Sequence, residues 1–270
     1  MTKPNSAGAP ARLVTKRLVS PLRAVLFDLD GTLRHNEPDG YAVFIGFLEE
    51  LGYPLSAEQR AHGERWTHYY WSIAPELRED IEAFGADTPA FWKRYAERQI
   101  LALDLGGDAN ALAEQVNRMF TERYQPVNHV PADVRPTLSR VRAAGYTVGL
   151  VSNRTGALDG LVTELGLDGL FHFTLSAGQA GAWKPAPEIF RQAAALAGCA
   201  PSEAMYVGDN YYADIEGARG AGLQPVLYDP RGLFPEPGCP IIRTIGELLQ
   251  TGLLATDGAA EAADKCGGSG

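Results

Sequence analysis

Cysteine, long apolar runs and positive charge are all scarce in this 270-residue chain, and each scarcity excludes a class of protein. The three cysteines, Cys199, Cys239 and Cys266, are too few and too widely spaced for a disulfide framework or a zinc site. No apolar run approaches the length of a membrane-spanning helix. The formal net charge of −9 argues against non-specific binding to nucleic acid and against attraction to anionic membranes. We therefore expect a cytoplasmic protein with neither a nucleic-acid partner nor a membrane partner.

Acidic residues are also missing from the first 27 positions, which carry five lysines and arginines. An organelle transit peptide has a similar composition. We expect instead that residues 1–20 form a flexible tail ahead of the first strand. Residues 257–270 are small, polar and aperiodic, and we expect them to form a disordered C-terminal tail. The folded body then lies between these two segments.

The folded body begins with an apolar run that ends in two carboxylates. Residues 24–27 are apolar and predict a buried strand, which Gly31 stops. Side chains alternate along a strand, so Asp28 and Asp30 project to the same side. Two like charges at an apolar strand end are costly unless a cation or a reaction requires them. The plainer alternative is an Asp-Gly hairpin turn, with Asp28 as a solvated strand-end residue.

Strands and helices alternate again from about residue 132, after a long helical segment. This alternation predicts an α/β fold, a Rossmann-like parallel sheet with helices on both faces. Residues 21–34 and 128–256 would form this core, and residues 35–127 would form a helical domain inserted after the first strand. Apolar spacing predicts four helices in the insertion, over residues 41–51, 56–71, 88–103 and 110–124.

Two polar segments follow later parts of the predicted core. Ser152 and Asn153 end the second core strand, where unpaired N–H groups of a helix start suit an anion. Either residue could instead simply cap that helix. Lys184 lies between Trp183 and Pro185, which restrict the backbone and favour an inward position. The alternative for a lone lysine is a solvated surface charge.

Two further carboxylates, Asp209 and Asp214, follow another core strand, where a helix cap and a first-turn acidic residue are the simpler interpretations. Together with Asp28 and Asp30 they would gather at one edge of the sheet, with Lys184 as the one obvious counter-charge. Such carboxylates repel by several kcal/mol per pair at about 4 Å, even at an effective dielectric constant near 20. A divalent cation relieves this repulsion, and ligands that are all oxygen favour Mg²⁺ over zinc.

The order of these motifs resembles that of the haloacid dehalogenase-like superfamily, whose members are mostly phosphatases. The resemblance covers most of residues 21–228 and is carried by four segments. They are Asp28-Leu29-Asp30-Gly31-Thr32, Gly149 to Asn153, Lys184-Pro185, and Gly208-Asp209 with Asp214.

The resemblance implies a phosphatase mechanism with an aspartyl-phosphate intermediate. Asp28 would be the nucleophile, and Asp30 would be the general acid and base. Ser152 and Lys184 would hold the phosphoryl oxygens. A carboxylate at position 30 argues for phosphate chemistry, because the dehalogenases that this chain resembles lack one there.

The resemblance also implies residues that bind the metal and the substrate. Mg²⁺ would be held by Asp28, the main-chain carbonyl of Asp30, and Asp209. Asp214 would support the site by orienting Lys184 or a metal-bound water. The expected substrate-binding residues are Thr32, Ser152, Asn153 and Lys184.

The helical insertion resembles the family's C1 cap, a helical lid that excludes water and selects substrates. Its densest aromatic stretch is Trp66, Tyr69, Tyr70 and Trp71. Packing between helices is the favoured interpretation of this stretch. A sharper hypothesis is that Tyr69 or Tyr70 covers the organic part of the substrate. Three residues of the hinge could also meet substrate: His35, Asn36 and Glu37.

Taken together, the motifs predict a Mg²⁺-dependent phosphatase that acts on a small-molecule phosphomonoester. We expect a monomer or a homodimer. A sugar phosphomutase shares every signature and is the first alternative. A regulator that binds a phosphate ligand without catalysis is the second, because a fold does not fix a function.

Overall fold

The computed structural model describes residues 22–255. The predicted tails, residues 1–20 and 257–270, lie outside this range. No helix within residues 22–255 is long enough and apolar enough to cross a lipid bilayer. Both cysteines in the same range, Cys199 and Cys239, are free thiols.

A parallel sheet of six strands forms the core and confirms the predicted α/β fold. The strands, in chain order, are β1 (Ala24–Phe27), β2 (His35–Glu37), β3 (Val127–His129), β4 (Thr147–Ser152), β5 (Phe173–Ser176), β6 (Ala204–Gly208), β7 (Gln224–Tyr228) and β8 (Ile241–Ile242). Strands β2 and β3 form a separate two-stranded ribbon, and the other six strands form the large sheet. The order across the large sheet is β5-β4-β1-β6-β7-β8. Strand β1 therefore lies between β4 and β6, and it pairs with both in parallel.

The central strand β1 shows why this sheet is covered on both faces. All four of its residues are fully buried. Because side chains alternate along a strand, Val25 and Phe27 pack in one apolar cluster, and Ala24 and Leu26 pack in the other. A strand buried on both sides is an unbroken apolar run, which is the pattern that the sequence predicted.

Helices cover the two faces of the sheet. Those of the core are α6 (Val134–Ala143), α7 (Asp159–Glu164), α8 (Ala177–Ala180), α9 (Pro187–Leu196) and α10 (Glu216–Ala221). The first five helices of the chain belong to the insertion and are described below. A π-helical turn, Tyr211–Ile215, precedes α10. After β8 the chain forms a short 3₁₀ turn, Ile245–Leu249.

The insertion between β2 and β3 consists of five helices rather than the four predicted. They are α1 (Gly40–Glu50), α2 (Ala57–Trp71), α3 (Pro75–Phe84), α4 (Pro89–Ala102) and α5 (Ala109–Arg123). Helix α3 was not predicted, and only Leu77 and Asp80 of its ten residues are buried. Helix α2 begins with a capping box, in which Gln59 N–H donates to Ser56 Oγ and Ser56 N–H donates to Gln59 Oε1.

The insertion is joined to the core by an antiparallel ribbon of β2 and β3. His35 lies opposite His129, and Glu37 lies opposite Val127. Each strand has three residues, too few for an alternating pattern to be recognised in the sequence. The chain therefore enters and leaves the insertion side by side.

Polar contacts hold helix α2 of the insertion against two loops of the core. The side-chain amide of Asn210 donates to the carbonyl oxygen of His68 at 2.8 Å. The guanidinium of Arg65 donates to the carbonyl oxygen of Leu233 at 3.3 Å. The insertion therefore lies closed against the sheet edge along α2.

Candidate active site

The polar residues predicted from the sequence lie beyond the carboxyl ends of three adjacent strands. Asp28 follows β1, Ser152 ends β4, and Asp209 follows β6. Because β1 lies between β4 and β6, these three ends meet at one edge of the sheet. The segment before α9 brings Lys184 to the same place. Ligands of parallel sheets bind at this edge.

Lys184 connects two carboxylates in the interior of the site. Its side chain is almost fully buried, and Nζ donates to Asp28 Oδ1 at 2.5 Å and to Asp214 Oδ1 at 2.7 Å. Burial alone would lower the pKa of this ammonium, but the charges of Asp214 and Asp28 outweigh burial and raise the pKa well above its ordinary value. Burial raises the pKa of the Asp28 carboxyl to about 7 and also raises the pKa of Asp214. Each of the two carboxylates would be costly without the lysine.

Asp209 is positioned by the segment that follows β1. The Thr32 hydroxyl donates to Asp209 Oδ1 at 3.0 Å and accepts from the Asp209 backbone N–H at 3.0 Å. A Cβ at Gly31, whose φ is +90°, would lie 2.5 Å from Asp209 Oδ2, so only glycine permits this approach. Burial, with the charge of Asp28, raises the pKa of Asp209 to about 7.

The structure gives Thr32 a different position from the predicted one. Its side chain is fully buried, and its hydroxyl contacts Asp209 instead of facing the open part of the site. The residue was expected to touch substrate because it belongs to the same motif as Asp28. The hydrogen bonds to Asp209 instead suit a residue that positions a carboxylate.

Asp30 lies apart from the buried carboxylates and has its own cationic partners. Arg154 Nε donates to Asp30 Oδ2 at 2.7 Å, and Arg154 Nη2 donates to Asp30 Oδ1 at 2.8 Å. Arg34 adds a third hydrogen bond at 3.2 Å. The expectation that Lys184 is the one counter-charge was therefore wrong. Within the described residues, Arg34 and Arg154 form ion pairs with Asp30, and Lys184 forms ion pairs with Asp28 and Asp214.

Asn153 holds the main chain of Lys184. Its Oδ1 accepts from the Lys184 backbone N–H at 2.7 Å, and its Nδ2 donates to the Lys184 carbonyl oxygen at 2.9 Å. Helix α7 begins only at Asp159, so neither Ser152 nor Asn153 caps it, and that alternative was wrong. Both ends of the Asn153 amide are thus occupied by Lys184 rather than open to substrate. Ser152 is almost fully buried and lines the cavity beside Asp28.

The donor set at this edge fits a magnesium ion. Carboxylate oxygens of Asp28, Asp209 and Asp214 lie within 4.8 Å of one another. All three donors are oxygen, and the raised pKa values of Asp28 and Asp209 show that their charges are unfavourable in the absence of a cation. The side chain of Asp30 is not part of this group. Three of the four predicted carboxylates therefore gather, and the metal-binding role of the Asp30 main-chain carbonyl stays a prediction.

A cavity of about 1150 Å³ extends from these residues into the insertion. Asp28, Ser152 and Lys184 line its core end. The hinge residues named from the sequence also line it, namely His35, Asn36 and Glu37. The space between core and insertion is therefore continuous with the carboxylate site.

The aromatic stretch of α2 mostly packs within the insertion. Tyr70 is fully buried, donates to Asp80 Oδ2 at 2.9 Å, and stacks on Trp66 with ring centroids 5.2 Å apart. The Tyr69 hydroxyl donates to Glu76 at 3.2 Å. Neither Tyr69 nor Tyr70 lines the cavity, so the hypothesis that one of them covers the substrate was wrong. The helix-packing interpretation is correct for Tyr70, whereas the ring of Tyr69 contacts Tyr212 of the core, with centroids 5.7 Å apart.

Sequence reasoning missed two arginines that line the cavity. Arg154 directly follows Ser152-Asn153 at the end of β4, and this position was the available signal. Arg231 lies in the loop after β7, where no motif marks it. It pairs with Asp39 at 3.6 Å and with Glu64 of α2, whose pKa is raised to about 6 by burial. These pairs add to the contacts that close the insertion against the core.

Comparisons with known proteins agree with this fold. A model of the haloacid dehalogenase-like hydrolase family matches residues 22–222. The chain is 32% identical over 216 residues to a ribulose-1,5-bisphosphate 5-phosphatase of Halopiger xanaduensis, covering 77% of this chain and 84% of that protein. It is 31% identical over 243 residues to a phosphoserine phosphatase of Thermus thermophilus, covering 80% of this chain and 91% of that protein.

A solved structure resembles the fold as well. It is a predicted phosphoglycolate phosphatase from Haemophilus somnus, with a TM-score of 0.52 and 21% identity over 86% of this chain and 98% of that chain. The family match covers most of the chain, and its motifs meet at one edge of the sheet. This protein belongs to the haloacid dehalogenase-like hydrolase family.

Proposed function

We propose that this protein is a Mg²⁺-dependent phosphatase that hydrolyses a small-molecule phosphomonoester through an aspartyl-phosphate. Its relatives, which are named as phosphatases, support a phosphoric monoester hydrolase. The observation that carries the proposal is the pairing of a buried Asp28–Lys184 contact with a separately held Asp30. In this proposal Asp28 attacks phosphorus, and Asp30, two residues on, transfers protons.

The two carboxylates act in two steps. In the first, Asp28 attacks phosphorus in line, and the bond to the ester oxygen breaks as Asp30 gives its proton to the departing alcohol. In the second, Asp30 takes a proton from water, which attacks the phosphoryl group on Asp28. Inorganic phosphate then leaves, and the Asp28 carboxylate is restored. The Asp30 side chain is about one-third exposed, which gives water and the departing alcohol access to it.

Five further residues support these steps. Lys184 offsets the charge of the phosphoryl oxygens, and Ser152 donates a hydrogen bond to one of them. Asn153 fixes the main chain of Lys184, and Asp214 fixes its ammonium. Thr32 positions Asp209. Thr32 and Asn153 therefore act through other residues rather than by touching substrate.

Asp28, Asp209 and the main-chain carbonyl of Asp30 would hold Mg²⁺. When bound, the ion neutralises charge on the transferring phosphoryl group and on the carboxylates that surround it. The residues 35–127 would act as a cap domain that keeps bulk water from the reacting group. Their closed position along α2 supports this role.

Phosphate release from a panel of phosphomonoesters, with and without Mg²⁺, tests the proposal. We expect release that requires Mg²⁺ and is lost in Asp28→Asn. Chromatography of the same mixtures for isomerised sugar phosphates separates hydrolysis from phosphomutase activity. Binding of phosphate ligands with no turnover of any ester would favour a regulator instead.

A further inference from the structure

The cavity is larger than a phosphoryl group and a short alcohol require. Its volume of about 1150 Å³ lies just above the range for sites that enclose drug-sized ligands, ~300–1,000 Å³. Asp28 and Lys184 occupy one end only. The cavity also extends among helices of the insertion, whose lining residues take no part in the proposed reaction.

This size does not result from an insertion lifted off the core at α2. Asn210 contacts the carbonyl oxygen of His68, and Arg231 pairs with Glu64 of the same helix. The ring of His68 also packs edge-on against Phe234 of the core, with centroids 5.7 Å apart. The space is therefore present while α2 is in contact with the core.

The far part of the cavity has a wall of three aromatic residues, Trp71, Trp92 and Tyr95, which we call the aromatic wall. Trp71 is 37% exposed and Trp92 is 39% exposed, which is unusual for residues that normally bury most of their surface. Their ring centroids lie 6.0 Å apart. Large apolar rings left open inside a cavity mark a binding surface.

Hydrogen bonds fix the orientation of both indoles. Trp71 Nε1 donates to the Tyr95 hydroxyl at 3.0 Å, and Trp92 Nε1 donates to Asp87 Oδ1 at 2.8 Å. The polar atom of each indole is thus used by the protein. What remains exposed is apolar ring surface in a fixed position, and such a surface binds a flat ring with little loss of side-chain entropy.

Positive charge is confined to the core end of the cavity. Arg154, Lys184 and Arg231 line it from the core, and each is paired with carboxylates. Among the described residues, neither lysine nor arginine lines the cavity from α4 or α5. This part of the cavity therefore offers no lysine or arginine to pair with a second phosphate or a carboxylate of the substrate.

We propose that the aromatic wall is a subsite for a flat aromatic ring in the alcohol half of the substrate. The inference rests on the proposed phosphatase function, because it identifies the class of ester. An aromatic ring that stacks on tryptophan can come from a nucleoside or from an arylalkyl alcohol. The subsite recognises the ring, and the experiment separates its two sources.

The test compares esters with equally poor leaving groups, so that chemistry is held constant. The esters are 2-phenylethyl phosphate, 2-cyclohexylethyl phosphate, glycerol 3-phosphate and the nucleoside 5′-monophosphates. We expect kcat/KM for 2-phenylethyl phosphate or a nucleotide to exceed that for the cyclohexyl and glycerol esters by about tenfold, the scale of one stacking interaction. Preference for nucleotides alone identifies a nucleobase as the ring, and preference for both identifies any aromatic ring.

Variants of the wall provide the second arm. Trp71→Leu and Trp92→Leu, which lie on different helices, are each expected to lose most of the preference for aromatic esters and to keep activity on glycerol 3-phosphate. Phe84→Leu is the control, because Phe84 is exposed and does not line the cavity. Circular dichroism melts identify any variant that fails to fold, and the other tryptophan then decides.

Failure of the subsite and failure of the phosphatase proposal are distinguishable. Hydrolysis of glycerol 3-phosphate at the same efficiency as 2-phenylethyl phosphate and every nucleotide overturns the subsite alone. Equal hydrolysis of the phenyl and cyclohexyl esters, with nucleotides no better, also overturns it. Release of phosphate from no ester overturns the proposed function. In that event, quenching of tryptophan fluorescence by 2-phenylethanol or a nucleoside, lost in Trp92→Leu, decides the subsite.

Discussion

The two ends of the cavity are built on opposite principles. At the core end, charged side chains are fixed by ion pairs, and Lys184 Nζ lies within 2.7 Å of a carboxylate oxygen of both Asp28 and Asp214. At the far end, the insertion offers the neutral rings of Trp71 and Trp92. Reaction chemistry requires charges at fixed distances, whereas selection of an organic group requires shape and apolar surface. Under the two proposals, catalysis and selection of the organic group would lie in separate segments of the chain.

The largest expected effect would break the core half of this comparison. In Asp28→Asn, the amide cannot attack phosphorus, and we expect phosphate release to fall by about four orders of magnitude or more. The variant should stay folded, because a neutral amide replaces a carboxylate whose pKa burial has raised to about 7. Phosphate assays with Mg²⁺ and thermal melts measure both. Asp168→Asn, at an exposed position, is the control. Substantial activity in Asp28→Asn would contradict the assignment of Asp28 as the nucleophile.

The second effect concerns the buried cation of the core end. Lys184→Met leaves Asp28 and Asp214 without their shared partner, and we expect a loss of about 3–5 kcal/mol in the free energy of unfolding at neutral pH. The loss should shrink at pH 5, because the raised pKa values of both carboxyls let them take up protons. Urea titrations at the two pH values measure it. Lys93→Met, which removes a cation from a more exposed pair with Glu114, should change little, and equal effects in the two variants would contradict the prediction.

The third effect is the pH dependence of stability in protein stripped of metal. Asp28 and Asp209 have pKa values of about 7 in the fold against an ordinary 3.8. Between about pH 4 and pH 7 the folded chain keeps protons that the unfolded chain has released, so the free energy of unfolding falls as pH rises. Added Mg²⁺ should stabilise more at pH 7.5 than at pH 5. Urea titrations with chelator or Mg²⁺ test this, and a flat profile that Asp28→Asn does not alter would contradict it.

The smallest effect sharpens the boundary between the two ends. Arg231→Met removes the partner of Asp39 and Glu64, and we expect α2 to open more often, with a few-fold faster amide exchange. KM should rise more than kcat falls, because the reacting groups are untouched. Hydrogen-exchange mass spectrometry and kinetics measure these changes. Arg243→Met, another arginine of the core that contacts Pro230, is the matched control, and unchanged exchange in α2 would show that Arg231 does not secure the insertion.

Much of the core could be predicted from the sequence because short local patterns mark its strands and the polar residues at their ends. Asp28 and Asp209 follow apolar strands, Ser152 ends another, and parallel strands bring their carboxyl ends to one edge. Arg154 could be placed at that edge but not paired with Asp30, which lies 124 residues earlier. Contacts between distant segments depend on packing that no local pattern contains.

The insertion was harder to predict for the same physical reason. Aromatic residues at helical spacing look alike whether they pack or line a cavity, so Tyr70 and Trp71 could not be told apart. They are adjacent on α2, yet one is fully buried and the other is 37% exposed. Which side of a helix is covered depends on its neighbours, and here α3 was itself unpredicted.

The ribbon of β2 and β3 has a consequence for how the chain is assembled. Because His35 and His129 are paired, the residues between them form one loop whose two ends are adjacent. The entropy of closing a loop grows only with the logarithm of its length. The lobe between those strands can therefore lengthen, shrink or be exchanged at little cost to the sheet. A core with this connection could therefore acquire a new substrate specificity when the insertion alone is replaced.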